Sequence, residues 1–103
     1  MIRLLPLLRQ VVRIVALAPP GIVIGRGNDA DLRIDDPGVS RKHIEIRVDD
    51  SGEAGSDPRI TVHDLGSTNG MSVNGKRVDQ ATLTNGATIR IGNTTMTLRL
   101  KRA

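Results

Sequence analysis

With 103 residues, 15 Lys+Arg against 11 Asp+Glu and a formal net charge of +4, the chain has room for one domain and a preference for anionic partners. It contains no cysteine and no aromatic residue, so disulfides, thiolate metal sites and cysteine nucleophiles are excluded. The core must be aliphatic, and the aromatic faces on which nucleic-acid bases stack are missing.

The N-terminal MIRLLPLLRQVVRIVALAPPG imitates a signal peptide, with a cationic start and an Ala16-Leu17-Ala18 triplet. Arg9, Gln10 and Arg13 break its apolar run, leaving nothing long enough for a signal core or a membrane helix. It is expected to belong to a soluble, cytoplasmic domain without a membrane partner. Two local structures compete there. Leu4, Leu8, Val11 and Val15 fall at helical spacing with Arg3, Arg9 and Arg13 opposite, as in a basic amphipathic helix. Pro6 would interrupt that helix, and Val11, Val12, Ile14 and Val15 favour strands. The preferred reading is a β-hairpin turning near Arg9-Gln10, although the pair lacks a turn glycine.

Beyond it come short strands separated by turn chemistry. Ile22-Val23-Ile24 is an apolar run, and Leu32 and Ile34 flank Arg33 before Asp35-Asp36-Pro37-Gly38 closes the segment. Ile44, Ile46 and Val48 alternate with Glu45 and Arg47, the pattern of a half-buried strand. Residues 49 to 58, DDSGEAGSDP, read as an exposed loop. Alternation resumes at Ile60 and Val62, at Ile89 and Ile91, and at Met96, Leu98 and Leu100. Asn74-Gly75 and Asn85-Gly86 are hairpin-type pairs, because both residue types tolerate positive φ. The expectation is a single all-β domain over residues 1 to 103, a sandwich or barrel.

Two nucleotide-binding signatures are decoys. Gly25-Arg26-Gly27-Asn28-Asp29-Ala30 fits GxGxxG/A, but DLRIDDPG follows where a helix is required. Gly70 to Lys76, GMSVNGK, has P-loop spacing, but Arg77 replaces the Ser or Thr needed for Mg²⁺. His43 and His63 stand apart from any further ligand cluster, so no metal or cofactor is expected.

What remains is a set of over-specified strand ends: Gly25-Arg26, Ser40-Arg41-Lys42-His43, and Ser67-Thr68-Asn69-Gly70 inside DLGSTNG. Loops at one end of a sandwich can converge. Pooled, these supply guanidiniums, hydroxyls, an amide and glycine-exposed backbone, an inventory suited to one oxygen-rich dianion. Asn69 could pair with the backbone of an extended peptide as donor and acceptor. No activated nucleophile or acid/base pair accompanies them, so binding rather than catalysis is expected.

GR at 25–26, SRKH at 40–43, STNG at 67–70, VNG at 73–75 and LTNGATIRIG at 83–92 together resemble the forkhead-associated (FHA) domain, a phosphothreonine-binding module. The resemblance covers about residues 20 to 100, leaving 1 to 19 as a first strand pair outside the matched pattern. It implies a sandwich of two sheets with about eleven short strands, termini together and binding loops at the opposite end. It implies that Arg26 and Ser40 contact phosphate with Arg41 beside them, that Thr68 covers the phosphothreonine, and that Asn69 grips the adjacent peptide backbone. Gly25, Gly70 and His43 would be structural, and Ser67 is read as ordering its loop. The implied partner is a phosphothreonine-containing Ser/Thr kinase or kinase substrate, with phosphoserine rejected for want of a γ-methyl. The alternative on the same fold is a phosphate-independent scaffold or self-association module, suggested by the apolar N-terminal stretch. Nucleic acid is disfavoured by the missing aromatics and scattered basic residues.

Overall fold

The computed structural model describes residues 2–8, 11–12, 15–52 and 55–100. Among them lie twelve strands and no helix: β1 (Ile2–Leu8), β2 (Val11–Val12), β3 (Val15–Leu17), β4 (Gly21–Gly25), β5 (Leu32–Arg33), β6 (Ile44–Asp49), β7 (Arg59–Asp64), β8 (Met71–Val73), β9 (Lys76–Val78), β10 (Gln80–Leu83), β11 (Thr88–Ile91) and β12 (Thr94–Leu100). One sheet runs β2-β1-β12-β11-β8-β9, with β3 also on β1; the other runs β10-β7-β6-β4-β5. The expected two-sheet sandwich is therefore present. β2 and β3 pair with β1 in one continuous register, Leu8 opposite Val11 and Ile2 opposite Leu17, so they form a single returning arm.

That register settles the N-terminal ambiguity for the hairpin; its turn residues, Arg9 and Gln10, lie outside the described residues. β-branched content and the partner strand β12 outweigh the helical spacing of the leucines. Pro6 sits opposite Met96 within β1. Within that stretch Leu4 and Leu17 are buried, and β1 lies between β12 on one side and β2 and β3 on the other.

Period-two alternation fixes the core. β6 buries Ile44, Ile46 and Val48, and β12 buries Met96 and Leu98 while Arg99 remains exposed. Ile24, Ile60, Val62, Met71, Ile89 and Ile91 complete the aliphatic layer. Burying each such side chain contributes roughly 1.5–3 kcal/mol, which lets methionines and isoleucines replace the absent aromatics.

Of the two Asn-Gly pairs read as hairpin turns, 74–75 and 85–86, only one makes a hairpin. Asn74 (φ 53°) and Gly75 (φ 83°) join β8 to β9. Asn85-Gly86 instead carries the chain from β10 in one sheet to β11 in the other, anchored by the Leu100 N–H donating to Asn85 Oδ1 at 2.9 Å. Sheet membership decides this, and the dipeptide alone does not encode it. Gly70 to Lys76 enters that β8–β9 hairpin rather than a phosphate loop. Ile2 opposite Leu100 puts the described ends of the chain together. Loops 36–43 and 64–70 and the 92–93 turn gather at the other end of β12.

Candidate functional site

β4 runs out into Arg26, and its last residues keep pairing with the backbone that follows the Pro37-Gly38 turn. The Arg26 N–H donates to Ser40 O at 2.9 Å, Gly27 N–H to Arg41 O at 3.0 Å, and His43 N–H to Ile24 O at 2.9 Å. Gly25 permits this approach: a Cβ there would collide with the Arg41 carbonyl oxygen. The Arg26 Nε–H donates to Val39 O at 3.0 Å, which aims the side chain along the 38–41 segment while its terminal Nη groups keep their donors.

His43 is fully buried beneath this segment. Its Nδ1 accepts from the Ser40 N–H at 2.9 Å, so the ring proton belongs to Nε2, which donates to Gly70 O at 2.7 Å. One imidazole thus ties the Ser40 loop to the end of the STNG loop. A second tie lies above it, where the Thr68 N–H donates to Ser40 Oγ at 3.1 Å. The Ser40 hydroxyl proton remains to be donated elsewhere.

The STNG loop is wound around Asp64. Its Oδ1 accepts from Gly66 N–H (2.8 Å) and Ser67 N–H (2.7 Å), and its Oδ2 from the Ser67 hydroxyl (2.6 Å). Ser67 Oγ in turn accepts from Gly70 N–H at 2.9 Å. Burial pushes the Asp64 carboxyl up, but the Ser67 hydroxyl and the two N–H groups outweigh it and hold the group below the ordinary carboxylate value. Asn69 Nδ2 donates to Gly38 O at 3.0 Å, and Arg77 Nη2 donates to Asn69 O at 2.6 Å. Arg77, the residue that spoils the P-loop pattern, thus braces this loop from outside.

Sequence reasoning missed Asp36. It lies in what reads as an ordinary turn, yet it is 1% exposed while Asp35 beside it is exposed. Asp36 Oδ1 accepts from Gly38 N–H at 2.8 Å; Oδ2 accepts from Asn93 N–H and the Thr94 hydroxyl, both at 2.8 Å. The only local signal was the Asp-x-Gly spacing of an Asx turn. Asp64 and Arg77 were equally silent, because their partners are groups of a folded loop: two N–H groups and the Ser67 hydroxyl for Asp64, the Asn69 carbonyl for Arg77.

The outcome is an open cavity of about 320 Å³ lined by Arg26, Pro37, Gly38, Val39, Ser40, Arg41, Thr68 and Asn69. It brings Arg26, Ser40, Arg41, Thr68 and Asn69 together; Gly25, His43, Ser67 and Gly70 lie outside it as its supports. The lining carries two guanidiniums, two hydroxyls and an amide, and no carboxylate or imidazole. Such a cavity can hold an anion by charge-assisted hydrogen bonds. Among the described residues no group of His, Cys, Asp or Glu is placed to hold a metal ion.

A family model described as FHA domain matches residues 22–92. The FHA domain-containing protein FhaA of Mycobacterium tuberculosis (strain ATCC 25618 / H37Rv) is 42% identical over 79 residues, which is 76% of this chain but only 14% of FhaA. The crystal structure of the FhaA FHA domain complexed with the intracellular domain of Rv3910 is 34% identical, with a TM-score of 0.80 over 96% of this chain and 100% of that one. A structure from work on phosphothreonine-dependent FHA domain interactions is 33% identical, with a TM-score of 0.80 over 98% and 99%. A family match spanning most of the sandwich and both loops of the cavity establishes that the chain belongs to the FHA domain family.

Proposed function

We propose that residues 1–103 form one phosphothreonine-dependent peptide-binding domain that serves Ser/Thr kinase signalling and catalyses nothing itself. The observation that carries this is the convergence of Arg26, Ser40, Arg41, Thr68 and Asn69 on one cavity. In this reading Arg26, Arg41 and the Ser40 hydroxyl take the phosphate oxygens, and Thr68 closes over the phosphothreonine. One N–H of the Asn69 amide is committed to Gly38, and its second N–H and Oδ1 are what grip the peptide backbone. Pro37 is the exposed apolar residue of the lining, against which a threonine methyl gains contact. The partner is a phosphorylated Ser/Thr kinase or kinase substrate. The FhaA FHA domain being complexed with an intracellular domain supports a cytoplasmic setting.

Hydrogen bonds to charged groups contribute roughly 1.5–3 kcal/mol each, so a few of them plus backbone pairing give a micromolar complex of about −8 kcal/mol. The test is calorimetric titration with one peptide library in phosphothreonine, phosphoserine and unmodified forms. Only the phosphothreonine form is expected to bind tightly, and Arg26→Ala to weaken it by about 2–3 kcal/mol. Equal binding of all three forms, unchanged by Arg26→Ala, overturns the reading.

A further inference from the structure

A second and larger cavity, about 760 Å³, adjoins the first and shares Arg26 and Arg41 with it; Gly27, Asn28, Asp29, Arg33 and Lys42 complete its lining. Its cations come from three separate segments. Arg26 stands at the end of β4, Arg33 on β5, and Arg41 and Lys42 on the loop before β6. The 26–31 turn, the segment that imitates a dinucleotide motif, is held by its own backbone: Ala30 N–H donates to Gly27 O at 3.2 Å and Asp31 N–H to Val23 O at 2.8 Å. Arg33 Nε donates to Arg26 O at 3.1 Å, which fixes the arginine of β5 against the same turn.

Four cations and one carboxylate, Asp29, line this cavity. Asp31, the other acid of the turn, uses Oδ2 to accept the Val23 N–H at 2.8 Å. Asp29 meets Lys42 at 3.2 Å, but both side chains are more than half exposed, at 65% and 56%. Solvent screens such a pair, so Lys42 can turn to an incoming anion at little cost.

Resting on the phosphothreonine reading, we propose that this second cavity selects acidic side chains, carboxylate or second phosphate, on one flank of the phosphothreonine. The shared Arg26 and Arg41 make the two cavities continuous. A peptide seated by its phosphothreonine in the smaller one carries one flank, and only one, over Arg33 and Lys42. These two residues set flank specificity without taking part in seating the first phosphate.

The experiment titrates the 103-residue protein with phosphothreonine peptides that differ only in their flanks. The flanks are neutral, acidic on the N-terminal side, acidic on the C-terminal side, or doubly phosphorylated on either side. Each is run against wild type, Lys42→Glu and Arg33→Gln. One acidic flank is expected to bind about fivefold tighter than neutral, as one or two partly exposed charge pairs provide, and its doubly phosphorylated counterpart tighter still. Either substitution removes most of that gain and weakens the neutral peptide by less than it weakens the acidic-flank one, and added salt shrinks the gain. An equal gain from both flanks, or a gain that survives Lys42→Glu and Arg33→Gln, overturns the proposal and points to the bulk charge of the chain. If the neutral peptide binds and no acidic flank improves it, flank selection alone fails. If no phosphopeptide binds, the phosphothreonine reading fails and takes flank selection with it.

Discussion

The carboxylate of Asp36 accepts the Thr94 hydroxyl at 2.8 Å across 58 positions of sequence, and both residues are buried. The bond ties the turn that leads into Ser40, beyond one sheet, to the first residue of β12 in the other. Asp36 also holds the N–H groups of Gly38 and Asn93, so its removal leaves three donors without an acceptor. Asp36→Ala is expected to cost about 3 kcal/mol of stability, a drop of roughly 15 °C in Tm for a domain of this size. Thr94→Val keeps the shape, removes one bond, and should cost about 1 kcal/mol. Urea and thermal unfolding of the two variants check the ratio.

Acid should act through the same carboxylates. Burial raises the Asp36 carboxyl, but the Gly38 N–H, Thr94 hydroxyl and Asn93 N–H outweigh it, leaving the group below its ordinary value of 3.8. Asp64 is lowered in the same way by Ser67 and Gly66. Because the folded value lies below the unfolded one, this stabilisation is complete above about pH 4 and is lost as pH falls through the folded value. The urea midpoint is expected to stay level between about pH 7 and 5 and to decline below about pH 4, with a shallower decline in Asp36→Ala. A decline equally steep in that variant would assign acid sensitivity to other groups.

His43 gives a way to separate support from contact. It is fully buried and serves both the Ser40 N–H and Gly70 O, so His43→Ala leaves a cavity and two unpaired backbone groups. A stability loss of about 3 kcal/mol is expected, with weaker phosphopeptide binding because both loops lose their common anchor. The salt dependence of binding should remain that of the wild type, since every cation of the cavity is retained. Arg26→Ala should do the reverse, flattening the salt dependence and leaving stability within about 1 kcal/mol. Isothermal titration at several salt concentrations distinguishes the two.

The strands were legible because each buries alternate residues, as Ile44, Ile46 and Val48 do on β6. The cavity was legible because Arg26, Ser40 and Thr68-Asn69 belong to short motifs whose order and separation are specific. Asp36 and Arg77 were not, since each acts on groups that only the fold brings to it: the Asn93 N–H and Thr94 hydroxyl for one, the Asn69 carbonyl for the other. A carboxylate without a cation nearby in sequence carries no pattern. The Asn85-Gly86 crossing was missed for a similar reason, because a turn dipeptide specifies local φ and not which sheet receives the next strand.

The adjacent hydroxyls Ser67 and Thr68 offer the closest comparison between ordering a loop and meeting a ligand. Ser67 is half-buried, donates to Asp64 at 2.6 Å and accepts from Gly70 at 2.9 Å, so its hydroxyl is committed within the loop. Thr68 is exposed and lines the cavity, and it meets Ser40 through its backbone N–H rather than its side chain. Ser67→Ala should therefore lower stability by about 1–2 kcal/mol and weaken binding only as far as the loop loosens. Thr68→Ala keeps the N–H bond to Ser40, so unfolding should move by less than about 0.5 kcal/mol while phosphopeptide affinity falls about tenfold or more. Thermal unfolding and calorimetry on both variants decide it. A Thr68→Ala protein that binds normally would move Thr68 out of the ligand's reach, and a Ser67→Ala protein of unchanged stability would show that Asp64 organises the loop through the backbone alone.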